Sequence, residues 1–291
     1  NNWSMSVMAG QTLNQKEAKG INVEVNYLSI DNFFNISNSV EQPSGSEAEV
    51  MQRMSAVFGS ADFSFRSMLF FAFSLRNEWS STLPSDNNSY FFPGVNSGFI
   101  FTELMPSIKK VLTYGKIRAS WARVGNDAAP YQVYSVFSQG AHSDGYGFFS
   151  YPLANMVNSY DVGDLMANEE LKPEITDEFE TGTELRFFNN RISLDLAYYH
   201  KSTTNLIWAA PVAYSSGFSR QMQNLGKITN QGIESLFTLV PVRTKNLAWE
   251  TGINFTRNYN KLNYLNNQLE DAELNNIRVD GGQQISWLAI P

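Results

Sequence analysis

The sequence predicts an all-β chain, an antiparallel transmembrane β-barrel, and three observations carry that reading. Apolar residues recur with period two almost throughout, the alternation of a strand wet on one face and buried on the other. The alternating segments approach the roughly 9–11 residues that cross a bilayer at a tilt, against about 5–6 for an ordinary globular strand. Between them, long and short connections alternate, as when one end of a barrel carries tight turns and the other long loops.

Trp3, Met5, Val7 and Ala9 predict a first strand over 2–10, and a second follows over 21–30. After a long link at 31–50 come strands over 51–64 and 67–79, joined at Phe65-Arg66-Ser67. In the second of these, Leu69, Phe71, Phe73 and Leu75 oppose Ser74 and Arg76. The link 80–94 is broken by Pro84, Asp86, Asn87, Asn88, Pro93 and Gly94, and a strand over 95–104 follows. A medium link at 105–115 leads to a strand over 116–126, then to the longest connection, 127–176. Strands over 177–188 and 191–204 flank Asn189-Asn190, two residues that tolerate the positive φ of a tight hairpin. Ile192, Leu194, Leu196 and Tyr198 share one face of the second, with Ser193 and Asp195 on the other. The last pair, 230–241 and 247–260, follows the link 205–229 and turns at Arg243-Thr244-Lys245-Asn246. Leu247, Trp249, Ile253 and Phe255 oppose Glu250, Asn254 and Thr256. The total is about ten strands, with the tight turns at one end and 127–176 at the outward end.

Composition agrees. Charged residues are 17% of 291, against roughly 25% in a soluble domain, while aromatics reach 14% and Asn, Ser, Thr and Gln fill the gap. A secreted β-sandwich or solenoid shares part of that profile, and the uneven connections argue against both. No apolar run is long enough for a transmembrane helix. A net charge of −7 leaves no basic footprint for nucleic acid, and the absence of cysteine excludes disulfide scaffolds and thiolate chemistry. The chain opens at Asn1-Asn2-Trp3-Ser4 without a signal peptide and stops at Ala289-Ile290-Pro291, so 1–291 is expected to be part of a longer barrel polypeptide.

Phe187, Phe188, Tyr198, Tyr199, Trp208, Tyr259, Phe91 and Phe92 cluster near strand ends and predict interfacial girdles. Glu178, Glu180, Glu184 and Arg186 share a parity that should face the lumen, because charge on the lipid face is costly. Material for catalysis is scarce. His142 beside Ser143 and Asp144 lies on a loop without a scaffold for a triad, and His200 reads as a strand-end residue. Asp161-Val162-Gly163-Asp164 lacks the ligand density of a calcium site. No cofactor, metal or catalytic residue is therefore assigned. Ligand binding is expected from the aromatic residues of the long loop: Tyr131, Tyr134, Phe137, Tyr146, Phe148, Phe149 and Tyr151. Flat rings beside amides and hydroxyls suit glycans and peptide backbones alike.

Four segments carry a family resemblance. Ile117-Arg118-Ala119-Ser120-Trp121 with Val124-Gly125-Asn126-Asp127 is similar to an LRASYG-x-VGND motif. Asn168 to Glu174, Phe179, Gly182, Phe187 to Arg191 and Tyr198-Tyr199 resemble NPxLKxE…FExGxxxxFFNNRxxxxxxYY. Asn224, Gly226, Asn230, Gly232, Ile233 and Glu234 look like NxGxxxNxGIE, and Trp249 to Lys261 fit the strand after it. Ala122 stands where Gly is usual and Glu169 where Pro is common. The match is to SusC/RagA-type TonB-dependent outer-membrane transporters. That resemblance implies a plugged barrel of about 22 strands, with the plug, TonB box and closing strands outside 1–291 and with 127–176 an extracellular loop. It further implies import of oligosaccharide or peptide across the outer membrane. A SusD-type surface lipoprotein would act as lid and TonB would supply energy. The alternative is a structural or adhesin-like barrel of similar ancestry, without transport.

Overall fold

Period-two patterning becomes one antiparallel sheet of long strands in the computed structural model, which describes residues 2–143, 148–151 and 157–265. The first five strands are β1 (Trp3–Glu24), β2 (Ser44–Phe65), β3 (Leu69–Ser80), β4 (Ser89–Ile100) and β5 (Leu112–Asn126). The connection after β5 holds five short ones: β6 (Phe137–Gln139), β7 (Ala141–Ser143), β8 (Phe148–Ser150), β9 (Tyr160–Val162) and β10 (Leu165–Met166). β11 (Glu174–Phe187), β12 (Ile192–Pro211), β13 (Arg220–Arg243) and β14 (Ala248–Tyr264) complete the wall. The sheet runs β1-β2-β3-β4-β5-β11-β12-β13, with β14 on the far side of β13, so sequence neighbours are sheet neighbours wherever a long strand is involved. β10 is the exception, adding two residues in parallel to β13. Among the described residues β1 and β14 are the two edges and do not pair with each other.

The strands are longer than their apolar patterns. Residues 2–10 and 21–30, expected as two strands, are the single β1, paired with β2 from Trp3↔Phe65 to Glu24↔Ser44. Asn14 to Glu17 are polar on both faces, so the alternation fades while the backbone ladder continues. Residues 25–30 leave the strand, and the link to β2 is 25–43 rather than 31–50. Likewise 205–229 is mostly strand, and its connection shrinks to 212–219. β12 and β13 stay paired across a kink where Asn205 (φ 57°) lies opposite Gly226 (φ 78°). A Cβ on Gly226 would also lie 2.6 Å from the Tyr264 carbonyl oxygen, so both backbone sign and space require glycine there. Pro93 and Gly94, expected as breakers, lie inside β4, which ends at Ile100 before a 3₁₀ turn at Phe101–Glu103. Pro93 is tolerated because the β4–β5 ladder starts only at Gly94, leaving a local edge.

Arg66-Ser67 and Phe188-Asn189-Asn190 turn through positive φ, as short hairpin connections require. These turns, 101–111 and 244–247 lie at one end of the sheet; 25–43, 81–88, 127–173 and 212–219 lie at the other. The row of directly paired residues that starts at Met5, two residues beyond Trp3, reaches Arg257, nine beyond Ala248. That steady stagger is the shear of tilted barrel strands.

Cross-strand pairing divides the sheet into two faces. One parity holds Trp3 to Leu13 on β1, 55–65 on β2, 69–79 on β3, 91–99 on β4, 115–121 on β5, 179–187 on β11, 192–204 on β12, 229–239 on β13 and 249–255 on β14. Within those spans that parity contains no Asp, Glu, Lys or Arg. Its large side chains, among them Met5, Phe73, Leu75, Ile117 and Phe255, are exposed. Ten residue steps separate Trp3 from Leu13. At about 3.3 Å per residue and a tilt near 40° they rise roughly 25 Å, the height of the apolar band of an outer-membrane barrel. This is the lipid face, and Glu178, Glu180, Glu184 and Arg186 lie on the other parity, the lumenal one. Tyr199 and Phe92, expected in the girdles, are lumenal by register, paired with Gly232 and Arg76, while Phe91 and Tyr198 keep lipid parity. His200 is not at a strand end. It sits within β12 opposite Phe179, with Nδ1 3.3 Å from Gln231 Oε1.

Candidate functional site at the long-loop rim

The wall's one buried apolar cluster among the described residues lies at its long-loop end, not midway along the strands. Leu83, Tyr90, Ala128, Val133, Leu171 and Met222 are buried together, flanked by Phe92, Leu165, Ile207 and Ala209. Two separate connections, 81–88 and 127–173, and the tops of β4, β12 and β13 contribute to it. Leu171 is 0% exposed. The long connection is therefore folded back against the wall as a packed shelf.

Polar anchors fix that shelf. Oδ2 of Asp127, where the chain leaves β5, accepts from Gln52 Nε2 of β2 (2.7 Å), from Thr82 Oγ1 (3.1 Å) and from the Ser80 hydroxyl of β3. One carboxylate oxygen thus joins three parts of the rim. Asn126 donates Nδ2 to Glu174 Oε2 (3.1 Å), and Glu174 Oε1 accepts the backbone N–H of Ile207 on β12 (2.8 Å). Asn224 receives the Lys172 N–H on Oδ1 (2.8 Å) and returns Nδ2 to the carbonyls of Lys172 (2.7 Å) and Asn205 (3.0 Å). Asn168 caps the turn before Leu171, its Oδ1 accepting the Glu170 N–H at 2.9 Å. Asn126, Asp127, Asn168, Glu174 and Asn224 are all residues of the sequence motifs. Their shared role is to hold the long connection to the wall; the motifs showed the residues, but not the partners.

Below the shelf the lumenal face is charged and paired. Glu178 meets Lys201 at 3.2 Å, Arg186 Nε donates to Glu184 at 2.8 Å, and Arg76 pairs with Glu78. Glu78, Glu178 and Glu184 thus each meet a cation of their own wall.

The expected ligand residues are dispersed. Tyr131 (φ 65°) reaches the top of β2, where its hydroxyl accepts the Met51 N–H at 3.1 Å. Tyr134 and Phe137 are exposed, Phe137 opening β6. Phe148 and Phe149 belong to β8, Tyr151 packs at Gly140, and Tyr146 lies outside the described residues, as does Asp144. β6 pairs with β9 and β7 with β8, so the described residues of 137–162 form a finger whose short strands pair with each other and, among the described residues, not with the wall. Val136, Phe137 and Tyr160 are exposed around its base. A second rim feature was not foreseen. In 25–43, buried Asn38 donates Nδ2 to the carbonyls of Ile30 (2.8 Å) and Phe33 (2.7 Å) and accepts the Ile30 N–H (3.0 Å). Around it Tyr27, Ile30, Phe33, Phe34 and Ile36 point outward, Phe34 at 85% exposure.

A sheared antiparallel wall with an uncharged lipid face, a charged inner face and a loop shelf at one end defines a transmembrane β-barrel protein. Residues 4–287 match the family described as TonB dependent receptor-like, beta-barrel, and the chain belongs to that family, with SusC/RagA-type relatives. It is 30% identical over 209 residues to TonB-dependent receptor P3 of Formosa agariphila, an alignment covering 71% of this chain and 20% of that protein. With TonB-dependent receptor SusC of Bacteroides thetaiotaomicron it shares 28% over 239 residues, 79% of this chain and 22% of the relative. The chain thus spans about a fifth of the length of these relatives. The RagAB peptide transporter structure superposes with a TM-score of 0.77 at 19% identity, over 91% of this chain and 28% of that one. The family places the chain in the Gram-negative outer membrane.

Proposed function

We propose that this chain forms part of the wall and outer mouth of a TonB-dependent nutrient importer. Its long-loop end faces outside, and ligand is an oligosaccharide or peptide held without covalent chemistry. A SusD-type surface lipoprotein closes over the mouth, and TonB acts through a plug carried elsewhere in the polypeptide. The observation that carries this reading is the division of labour at the rim. Motif residues clamp 127–173 onto the wall, while the finger 137–162 is left clear of wall pairing, with Phe137 and Tyr160 exposed. A rigid shelf bearing a finger with Phe137 and Tyr160 exposed is suited to contacting ligand or lid. The likeness to the RagAB peptide transporter supports the substrate class, and the SusC relative the nutrient role.

The test is uptake in the native host, with the full-length gene deleted and then restored. Growth on defined oligosaccharides or on peptide mixtures should fall on deletion and return with the gene, but not in a strain lacking TonB. Deletion that leaves growth on every such source unchanged while disturbing cell-surface assembly would favour a scaffold or adhesin.

A further inference from the structure

We propose that the lipid-facing wall carries a binding site for a phosphorylated glycolipid of the outer leaflet, with Arg53 as its phosphate ligand. A cleft of about 450 Å³ lies across β1, β2 and β3 near the top of the exposed belt. Leu13, Gln15, Arg53, Ser55, Trp79 and Asn88 line it. The first five share the lipid parity, and Asn14, Met54 and Ser80 join the lining from the other parity. Leu13, 83% exposed, and the Trp79 indole offer an apolar floor. Arg53 lies twelve residue steps above Phe65, two more than the span from Trp3 to Leu13. At the same rise and tilt that is roughly 5 Å beyond the hydrocarbon boundary, the level of a lipid's phosphate.

Charge selects the occupant. Two other cations on this parity are neutralised: Lys19 lies 3.1 Å from Glu17 and 3.3 Å from Glu49, and Arg123 makes two bonds to Asp177 at 2.9 and 3.0 Å, while Lys227, Arg257 and Lys261, without an ion pair among the described residues, line no part of the cleft. Arg53 has no carboxylate partner among the described residues. Its Nε donates to the neutral Gln15 Oε1 at 3.1 Å, which leaves the other guanidinium donors for a ligand. A guanidinium matches a phosphate with two parallel hydrogen bonds, and the Leu13–Trp79 surface accepts an acyl chain beneath it. Gln15, Ser55 and Asn88 add neutral donors and acceptors of the kind a sugar headgroup uses. The site is independent of the imported substrate and rests only on the outward orientation of the long-loop end.

The probe is purified lipid A, added to the full-length protein in detergent and read by native mass spectrometry. Wild type should retain lipid A, with Arg53→Gln weakening retention about tenfold, Arg53→Lys less, and Trp79→Ala intermediate. Dephosphorylated lipid A should bind wild type no better than phosphorylated lipid A binds Arg53→Gln. Arg257→Gln, the same charge loss on the same parity at the far side of the sheet, should leave retention unchanged. Equal retention by wild type and Arg53→Gln, or equal losses in the two glutamine variants, would overturn the proposal. Impermeant labelling of Phe34→Cys on intact cells reports the orientation separately.

Discussion

Arg118 of β5 reaches across β11 to Asp195 of β12, its Nη1 donating to Oδ1 at 2.9 Å, and it passes directly over Gly182. On the way Nε lies 3.4 Å from Glu180 Oε1. A Cβ at position 182 would sit 2.9 Å from the guanidinium carbon and 2.7 Å from the Leu196 carbonyl oxygen. Gly182→Ala should therefore cost about 1–3 kcal/mol through overpacking. Arg118→Ala should cost about 1 kcal/mol or less, because all three side chains are about a third exposed. In the double variant the penalty at 182 should shrink but persist, since the backbone oxygen remains. Thermal midpoints of the folded barrel on heat-modifiability gels measure all three.

Leu194 lies on the lipid face and Ser193 on the lumenal one. Leu194→Arg should destabilise the barrel by about 2–4 kcal/mol near the midplane, and Ser193→Arg by much less. Equal tolerance in a membrane-assembly assay would contradict the assignment of faces.

Leu171→Ala removes a fully buried side chain from the rim cluster and should cost about 2–5 kcal/mol locally. Asp127→Ala leaves three donors without their shared acceptor. Both variants should keep a heat-resistant barrel but become sensitive to protease within 127–173. Loss of the barrel itself would mean that the shelf is needed for assembly.

Deleting 140–160 removes most of a finger whose described strands pair with one another. Ligand or lid capture should weaken in a pull-down, while heat-resistant assembly stays intact. A barrel that no longer forms would overturn this topology.

The chain contains no cysteine, so a single introduced thiol is unique within it. Phe34→Cys on the 25–43 loop should react with a membrane-impermeant maleimide on intact cells, and Ser67→Cys at a tight turn should not. The reverse pattern would invert the orientation.

The belt was legible because it is made of side chains whose chemistry is set by lipid: Leu69 to Leu75 and Ile192 to Tyr198 alternate whatever their neighbours are. The tops of the strands were not. From Asn14 to Glu17 both faces are polar, so the pattern vanishes although every residue is still paired with β2. The rim anchors failed for a different reason. Asp127 and Gln52 are 75 residues apart, and Lys172 and Asn224 are 52 apart. A motif shows that such residues occur together but not which group each one holds. The loop aromatics show the reverse case: Tyr131 reads as a ligand residue by type, yet its hydroxyl is engaged with the β2 backbone.

The stagger that carries one row of pairs from Met5 to Arg257 has a consequence for assembly. A strand can slip and keep its faces only in steps of two residues, or about 6.6 Å along the strand. For β14 a downward step draws Arg257 into hydrocarbon, and an upward step lifts Ile253 and Phe255 toward water. On β11 the same downward step drags in Asp177, and on β2 Arg53. Because each strand meets the bilayer at a different residue, these penalties fall on different neighbours and cannot be relieved by moving the whole sheet together. The membrane thus acts as a gauge during insertion, rejecting any mispaired wall by its own thickness.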